Sequence, residues 1–570
     1  MLKYRKEIFY LLNKKEKNGF IFLIFLMIIN SLIEVLGITA IIPIISITLK
    51  NDLSLFQNFF FYKYIQELNL NKNFIIYSFS LVVFIFLLKN FFLIFYNWFL
   101  TNYYNNVGKR ISEDIYQTYI SLSYRDYLSL KTSKPIFDTT EGVEMFKVSL
   151  NNLSTFVLES IVVFAILAFL IFIDPFSSTL IFLILGVGTI IILYTFNSHN
   201  KFWGSEVKKN ITNKINILNQ TFSSFKDIKI YSCENFFQKK FKIFNEKLNK
   251  YQKIHLFFIT LPKPIFEVMI VSILLLTLYF LIEIKNIPSE IIILNLAIYG
   301  VSFFRLYPSV YRISNCVQKA GYGSSALFDL INIDKMKLNN NSIQQNKFQK
   351  LNIKESIKKF TLENVSFSYE KDKRKIINDL SYTLENNYFY GIRGRTGVGK
   401  STFLDIVSGL LMPDEGEIKI NNKKINFLEN NWFNKISYVT QNINLLDDTL
   451  ENNIALAVNP SEIDKDKILK VIDSAELKNF DKSYSYDSNL ILGERGIKIS
   501  GGEKQRIGIA RCLYFDRDIY IFDEATNALD SLTEIKILEK IKSFLKNKIV
   551  IVVSHKESTL KFCDKIIDIN

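Results

Sequence analysis

Histidine, cysteine and proline are all scarce in this chain of 570 residues, which has three His, four Cys and nine Pro. Cys233, Cys316, Cys512 and Cys563 are scattered, so neither a disulfide framework nor a tetrahedral metal site is expected. His199, His255 and His555 have no ligand spacing, which argues against a structural metal. The start, MLKYRKEIFYLLNKKEKNG, lacks a short apolar core followed by a small-residue cleavage site, so no secretory signal peptide is expected. Negative charge is also in deficit, and the formal balance is +15. Lys and Arg at cytoplasmic membrane flanks account for that excess more simply than a nucleic-acid partner, and none is expected.

Aromatic and aliphatic residues are abundant instead, with 51 Phe and 29 Tyr, and they crowd into the first 310 positions. Six apolar segments reach or approach the ~20 residues that cross a bilayer core. They lie near 19–48, 74–100, 153–173, 177–196, 257–283 and 288–310. The basic N-terminus places that end in the cytoplasm. The long polar, helix-compatible stretches after the second and fourth segments then fall on the cytoplasmic side, and an even number of crossings returns the C-terminal half there too. Glu34, Lys89, Lys263, Glu267 and Arg305 interrupt the apolar segments, and a charge at bilayer depth must face protein or water. Lys89 and Lys263 can snorkel from segment ends. The other reading is that these cations, Arg305 foremost, line a cavity and attract an anion. Pro43, Pro262, Pro264 and Pro308 are expected to bend the helices.

From about 320 the hydropathy collapses into KLNNNSIQQNKFQKLNIKESIKK (337–359), and the alternating TLENVSFSY (361–369) opens a new domain. The expected boundaries are a membrane domain at 1–320, a linker at 321–358 and a C-terminal domain at 359–570.

In this last domain GRTGVGKST follows the strand NYFYGIRG and precedes an apolar helix. That is the setting of a phosphate-binding loop made of Gly394, Arg395, Thr396, Gly397, Val398, Gly399, Lys400, Ser401 and Thr402. Its backbone N–H groups and the helix start favour phosphate. Lys400 is expected to reach the β and γ phosphates of ATP, and Ser401 to hold Mg²⁺. The strand in IYIFDEATNALD (519–530) delivers Asp523 for Mg²⁺ and Glu524 as general base or water-orienting group; the plainer alternative is a strand-end cap. Ser500, Gly501, Gly502 and Glu503 start another helix, a second anion-binding terminus. One domain needs one phosphate loop, so the second suggests use across a dimer. His555, the lone His of this half, sits just past a strand, where it can contact a γ-phosphate.

With these motifs in order, the C-terminal half resembles an ABC-transporter nucleotide-binding domain. The resemblance implies that Tyr369 stacks on adenine and that Gln441 senses Mg²⁺ and faces the membrane domain. It makes Gly496 part of a short loop before the signature. It makes Ser500, Gly501 and Gly502 the signature that closes over the partner's ATP, with Glu503 in place of the family's commoner Gln. Asp530 then couples the two sites, and Glu524 and His555 are the catalytic glutamate and the switch histidine. The N-terminal half is similar to the six-helix membrane domain of ABC exporters, with coupling helices expected near Tyr124–Leu128 and Phe222–Lys229. The implied fold is a multi-domain membrane protein: a six-helix exporter transmembrane domain followed by a P-loop α/β ABC nucleotide-binding domain. One of each makes half a transporter, which implies a homodimer.

The stretches SLIEVLGITAIIPIISI (31–47), FFRLYPSVYRI (303–313) and SSALFDLI (324–331) are similar to the bacterial lipid-linked oligosaccharide flippase of protein N-glycosylation and to related lipopolysaccharide or capsule translocases. That resemblance implies ATP-driven flipping of a polyprenyl-pyrophosphate-linked glycan across the bacterial inner membrane, with membrane lipids as partners. Lys89, Lys263 and Arg305 would meet the anionic pyrophosphate, although Lys stands where Arg is expected at the first two. Two other readings compete: export of lipids, drugs or small peptides by the same architecture, and an ATP-gated channel or regulatory module that does not pump.

Overall fold

The computed structural model describes residues 2–39, 72–173, 175–279, 282–283, 289–345, 355–369, 375–395, 397–425, 432–477, 491–492 and 499–569. Pro43, residues 40–47 of the first flippase-like stretch, Thr396 and Gly496 lie outside them. The chain divides into two compact units. One is Met1–Ser121 with Leu130–Asn339, and the other is Leu122–Ser129 with Asn340–Asn570.

The first unit is helical: α1 (Leu2–Leu11), α2 (Lys14–Thr39), α3 (Lys72–Ile120) and, past the short α4 (Tyr124–Leu128) of the other unit, α5 (Ser133–Phe137). A π turn at Asp138–Gly142 leads into α6 (Val143–Ile173), α7 (Pro175–Ser223), α8 (Phe225–Ile230), α9 (Glu234–Thr260), α10 (Pro262–Tyr279) and α11 (Ser289–Gln345). Lipid offers the backbone no hydrogen-bond partner, so the apolar segments must satisfy theirs internally as helices. Local chemistry sets the breaks. Asn13 and Glu16 cap each other's backbone N–H (2.8 and 2.9 Å) where α2 begins, a capping box. Pro262 opens α10, a position where its missing N–H costs nothing.

Among the described residues, four helical stretches are long and apolar enough to cross a membrane: Lys14–Gly37, Phe79–Ile120, Ser133–Phe172 and Glu234–Tyr279. The core of this unit includes Leu23, Met27, Phe146, Val162 and Ile166 from these stretches and Leu306 from α11. Leu87, Phe91, Ile94 and Phe172 are exposed apolar side chains suited to lipid.

The linker expected from 321 begins later. α11 runs on to Gln345, and its residues up to Asn339 belong to the first unit. Leu327, Leu330, Ile331 and Ile333 are buried there, so an apolar helical face persists beneath a polar surface. Averaged hydropathy falls while the helix continues.

The second unit is α/β. An antiparallel sheet runs in the order β2 (Ile377–Glu385), β1 (Lys359–Phe367), β4 (Glu415–Ile420), β5 (Lys423–Lys424). A parallel sheet runs β6 (Ile436–Val439), β7 (Ile519–Asp523), β8 (Ile549–Val553), β3 (Phe389–Arg393), β9 (Lys565–Asp568). The central strands read as unbroken apolar runs, and all five residues of β8 are buried, as expected for a sheet covered on both faces. Its helices are α12 (Lys400–Val407), α13 (Leu450–Ile454), α14 (Lys465–Ser474), α15 (Gly501–Tyr514), α16 (Ser531–Phe544) and α17 (Glu557–Lys561).

α4 stands at the first expected coupling-helix position and counts with the second unit. Tyr124 packs on that unit's core. Arg125 pairs with Asp414 at 3.0 Å and donates to the Ser368 carbonyl at 2.9 Å. A short helix, α8, also forms at the second expected position.

Candidate active site

Ligands in open α/β sheets bind beyond the carboxyl ends of parallel strands. Here β7, β8 and β3 are neighbours in register, with Asp523 opposite Val553 and Val553 opposite Ile392. The loop after β3, the acidic pair after β7 and the histidine after β8 therefore emerge side by side.

The first of these loops is shaped by glycine. Gly397 and Gly399 have φ of +82° and +109°, conformations that other residues rarely adopt. A Cβ on Gly394 would lie 2.5 Å from the Ile569 carbonyl oxygen. Lys400, at the start of α12, is buried and donates to the Gly394 carbonyl at 3.1 Å. Ser401 is exposed and Thr402 is buried; the Thr402 hydroxyl lies 3.2 Å from the Tyr369 hydroxyl. Arg395 and Val398 belong to the loop, and the Tyr369 ring packs edge-on against Phe367.

Beside Lys400 the expected polar groups converge. His555 Nε2 lies 3.1 Å from Lys400 Nζ and 3.3 Å from Glu524 Oε1. An ammonium can only donate and a carboxylate can only accept, so the contact to Lys400 needs Nε2 as acceptor and the contact to Glu524 needs it as donor. Glu524 Oε2 accepts from Gln441 Nε2 and from Asn527 Nδ2, both at 2.8 Å. Glu524 has φ +50°, a strained conformation for a non-glycine residue, and such strain gathers at functional sites.

Three carboxylates crowd this end of the sheet. Burial raises the Asp523 carboxyl above its usual range and Glu524 adds to this, while the Tyr438 hydrogen bond and Lys400 act the other way. Burial and the Asp523 charge push Asp405 up to about 6. Such crowding suits a cation. Ser401, Gln441 and Asp523 carry hard oxygen donors of the kind that would suit Mg²⁺. Mg²⁺ held there would neutralise charge on the phosphates of ATP.

The signature residues stand apart from this cluster. Ser500 caps α15: its hydroxyl accepts from the Glu503 N–H at 3.3 Å, and the Glu503 carboxylate accepts from the Ser500 N–H at 2.6 Å. Glu503, the departure from the commoner Gln, thus completes a capping box. A Cβ on Gly502 would come within 3.1 Å of the Ala528 carbonyl, whereas at Gly501 the nearest contact would be 3.9 Å. Among the described residues, the hydrogen bonds of Ser500 and Glu503 stay within this helix start. Asp530 caps α16 by accepting from the Thr533 N–H at 3.0 Å.

Sequence reading passed over several residues that hold the site. The Tyr438 hydroxyl donates to Asp523 at 3.3 Å, and Gln505 spans from the Glu524 carbonyl (3.4 Å) to the Ala528 N–H (2.8 Å). Two strands, β7 and β8, lie between Tyr438 and the strand that leads into the phosphate loop, and only sheet pairing reveals it. Gln505 lay in view, since it sits one helical turn beyond Gly501 on the face that Gly502 turns to Ala528.

In the first unit, Lys89 and Arg305 meet through a carboxylate. Glu34, with a side chain only 3% exposed, pairs with Lys89 at 2.8 Å and with Arg305 at 2.7 Å. Lys263 is exposed and does not join them.

Together the nucleotide site and the long apolar helices define a membrane-bound ATPase. Residues 377–527 match the family model described as ABC transporter. A Rickettsia prowazekii protein provisionally named an export ATP-binding/permease protein is 27% identical over 84% of this chain and 82% of its own length. An ATP-dependent lipid A-core flippase of Haemophilus ducreyi is 29% identical over 47% of this chain and 44% of its own. The fold matches that of a bacterial Atm1-family ABC exporter with ATP bound, with TM-score 0.77, 18% identity, 98% of this chain and 93% of that one. The chain thus joins a multi-pass membrane domain to a P-loop ATP-binding domain that matches the ABC-transporter model over residues 377–527, an ATPase that uses Mg²⁺ and is coupled to transport.

Proposed function

We propose that this chain is one half of a homodimeric exporter in a bacterial inner membrane, with six crossings per subunit. It uses ATP to move an amphipathic cargo, a lipid, drug or small peptide. The observation that carries this reading is the meeting of Lys400, His555, Glu524 and Gln441 at the ends of β3, β8 and β7. In each of two composite sites, Lys400 and the loop amides bind phosphate, and Glu524 receives the proton of the attacking water or orients that water. His555 contacts the γ-phosphate, and the partner's Ser500 and Gly502 close the site. Tyr369 lies against adenine, and Asp530 couples the two sites.

The relatives match a general lipid, drug or peptide exporter better than the narrower expectation of a lipid-linked oligosaccharide flippase. One observation favours an anionic, pyrophosphate-bearing cargo as the second reading. Lys89 and Arg305 share the single carboxylate of Glu34, which leaves that cluster a net positive charge. Lys263 is exposed and lies outside that cluster.

The test is stimulation of the purified transporter's ATPase by a panel of phospholipids, amphipathic drugs, peptides and a polyprenyl-pyrophosphate glycan. Stimulation by an uncharged or cationic amphiphile, unchanged in Arg305→Ala, supports the broad reading. Stimulation by the pyrophosphate glycan alone, lost in R305A, favours the flippase. Lys400→Ala should abolish ATP binding in every case, and an unchanged affinity for ATP would refute the site itself.

A further inference from the structure

Among the described residues of the ATP-binding unit, Glu534 is the only buried carboxylate, at 1% exposure. Its two oxygens accept three hydrogen bonds. Its Oε1 accepts from the Thr526 hydroxyl at 2.8 Å and from the Thr559 hydroxyl at 2.5 Å. Its Oε2 accepts from Lys556 Nζ at 3.0 Å. Lys556 Nζ donates twice more, to the carbonyls of Thr526 (3.1 Å) and Leu529 (3.2 Å). All three donors of this ammonium are therefore used, and two of them end on the turn between Glu524 and Asp530.

Lys556 directly follows His555 in the chain. Its side chain thus ties the backbone that carries the histidine to the turn 526–529, while Glu534 anchors the same ammonium to the start of α16. A buried pair of this kind is weak evidence for stability, because desolvation of the charges offsets their attraction. Its geometry suits another task. A shift of the turn moves the carbonyls that hold Lys556, and with them the main chain at His555.

We infer that Lys556 and Glu534 are positioning residues that fix His555 to the 526–529 turn, so that hydrolysis in one site responds to the position of that turn. The inference rests on the proposed role of His555 and of a dimer in which Asp530 reaches the second site. Neither residue touches nucleotide in this scheme. Both act through His555.

The test uses the full-length transporter in lipid nanodiscs with MgATP, comparing wild type, Lys556→Met, Lys556→Arg, Glu534→Gln and His555→Ala. Lys556→Met should lower kcat about tenfold or more while KM for ATP changes by less than about twofold, the split expected for lost transition-state positioning. The Hill coefficient for ATP should fall toward one. Lys556→Arg should recover most of the turnover, because a guanidinium keeps the charge and the donors. If Lys556→Met does not fold, Glu534→Gln decides: it keeps the shape and an acceptor for the threonines but loses the ion pair, and it should show the same split. Unchanged kcat in the folded variant overturns the inference, and so does a parallel loss of kcat and ATP binding, which marks a purely structural pair. Wild-type turnover by His555→Ala would instead overturn the reading of His555 itself.

Discussion

At Glu524 the strand end, the strained backbone and the amide contacts all meet. Its carboxylate is held by Gln441 and Asn527, so Glu524→Gln keeps the shape of the site and removes the proposed base. ATP turnover should fall about 100-fold or more, with ATP still bound; turnover near wild type would show that another group does this work. Asp405 gives a separate, pH-based prediction. Its carboxyl rises from an ordinary 3.8 to about 6 through burial, with Asp523 adding to it. The folded chain therefore holds that proton more tightly than the unfolded chain, so the stability this group contributes is present at low pH and lost as pH rises from about 4 to about 6. Asp405→Asn should abolish that part of the decline, making the nucleotide-free protein more stable than wild type above pH 6 and equal to it below about pH 4. Thermal melting across this range, without nucleotide or Mg²⁺, measures the difference. An identical pH profile for the two proteins would contradict it.

At the scale of elements, the helix that starts at Ser500 depends on a reciprocal cap. Glu503→Ala should cost about 1 kcal/mol of stability in the ATP-binding unit, and Glu503→Gln much less, because the amide can still accept from the Ser500 N–H. Equal melting of E503A and wild type would show that the cap is energetically idle. The same elements show what could be read from sequence. GRTGVGKST and IYIFDE were legible because each chemical group there is tied to a strand-to-loop transition with its own apolar signature. The sheet order β6-β7-β8-β3-β9 was not legible, since no local pattern says that β3 lies between strands that come far later in the chain. Tyr438 and Lys556 were missed for this reason: their partners are distant in sequence. The end of α11 was misplaced because polar residues on its outer face lowered the averaged hydropathy while Leu327 and Leu330 stayed in the core. The short α4 was placed by resemblance, but only the structure shows Arg125 on Asp414 and Ser368.

At the scale of the whole molecule, the proposal of composite sites makes an unusual demand. Lys400→Ala and Ser500→Ala should each silence a homodimer, because every site then carries one defect. Mixed dimers of the two chains contain one site with both defects and one site with none. Turnover should therefore reappear on mixing, and continued inactivity of verified mixed dimers would contradict the shared site. The membrane domain contributes a different constraint. Glu34 neutralises only one of the two cations it holds, and a charge left over at membrane depth must be met by water, protein or cargo.

The most direct measurement follows fluorescent amphipathic probes, including phospholipid and polyprenyl-pyrophosphate glycan, across proteoliposomes that contain either the wild-type transporter or its E524Q variant. The account predicts ATP-dependent movement of at least one probe class by the wild type and none by the variant. Steady ATP turnover by the wild type with no movement of any probe, at rates equal in the presence and absence of each, would contradict the claim that this ATPase drives export of an amphipathic cargo.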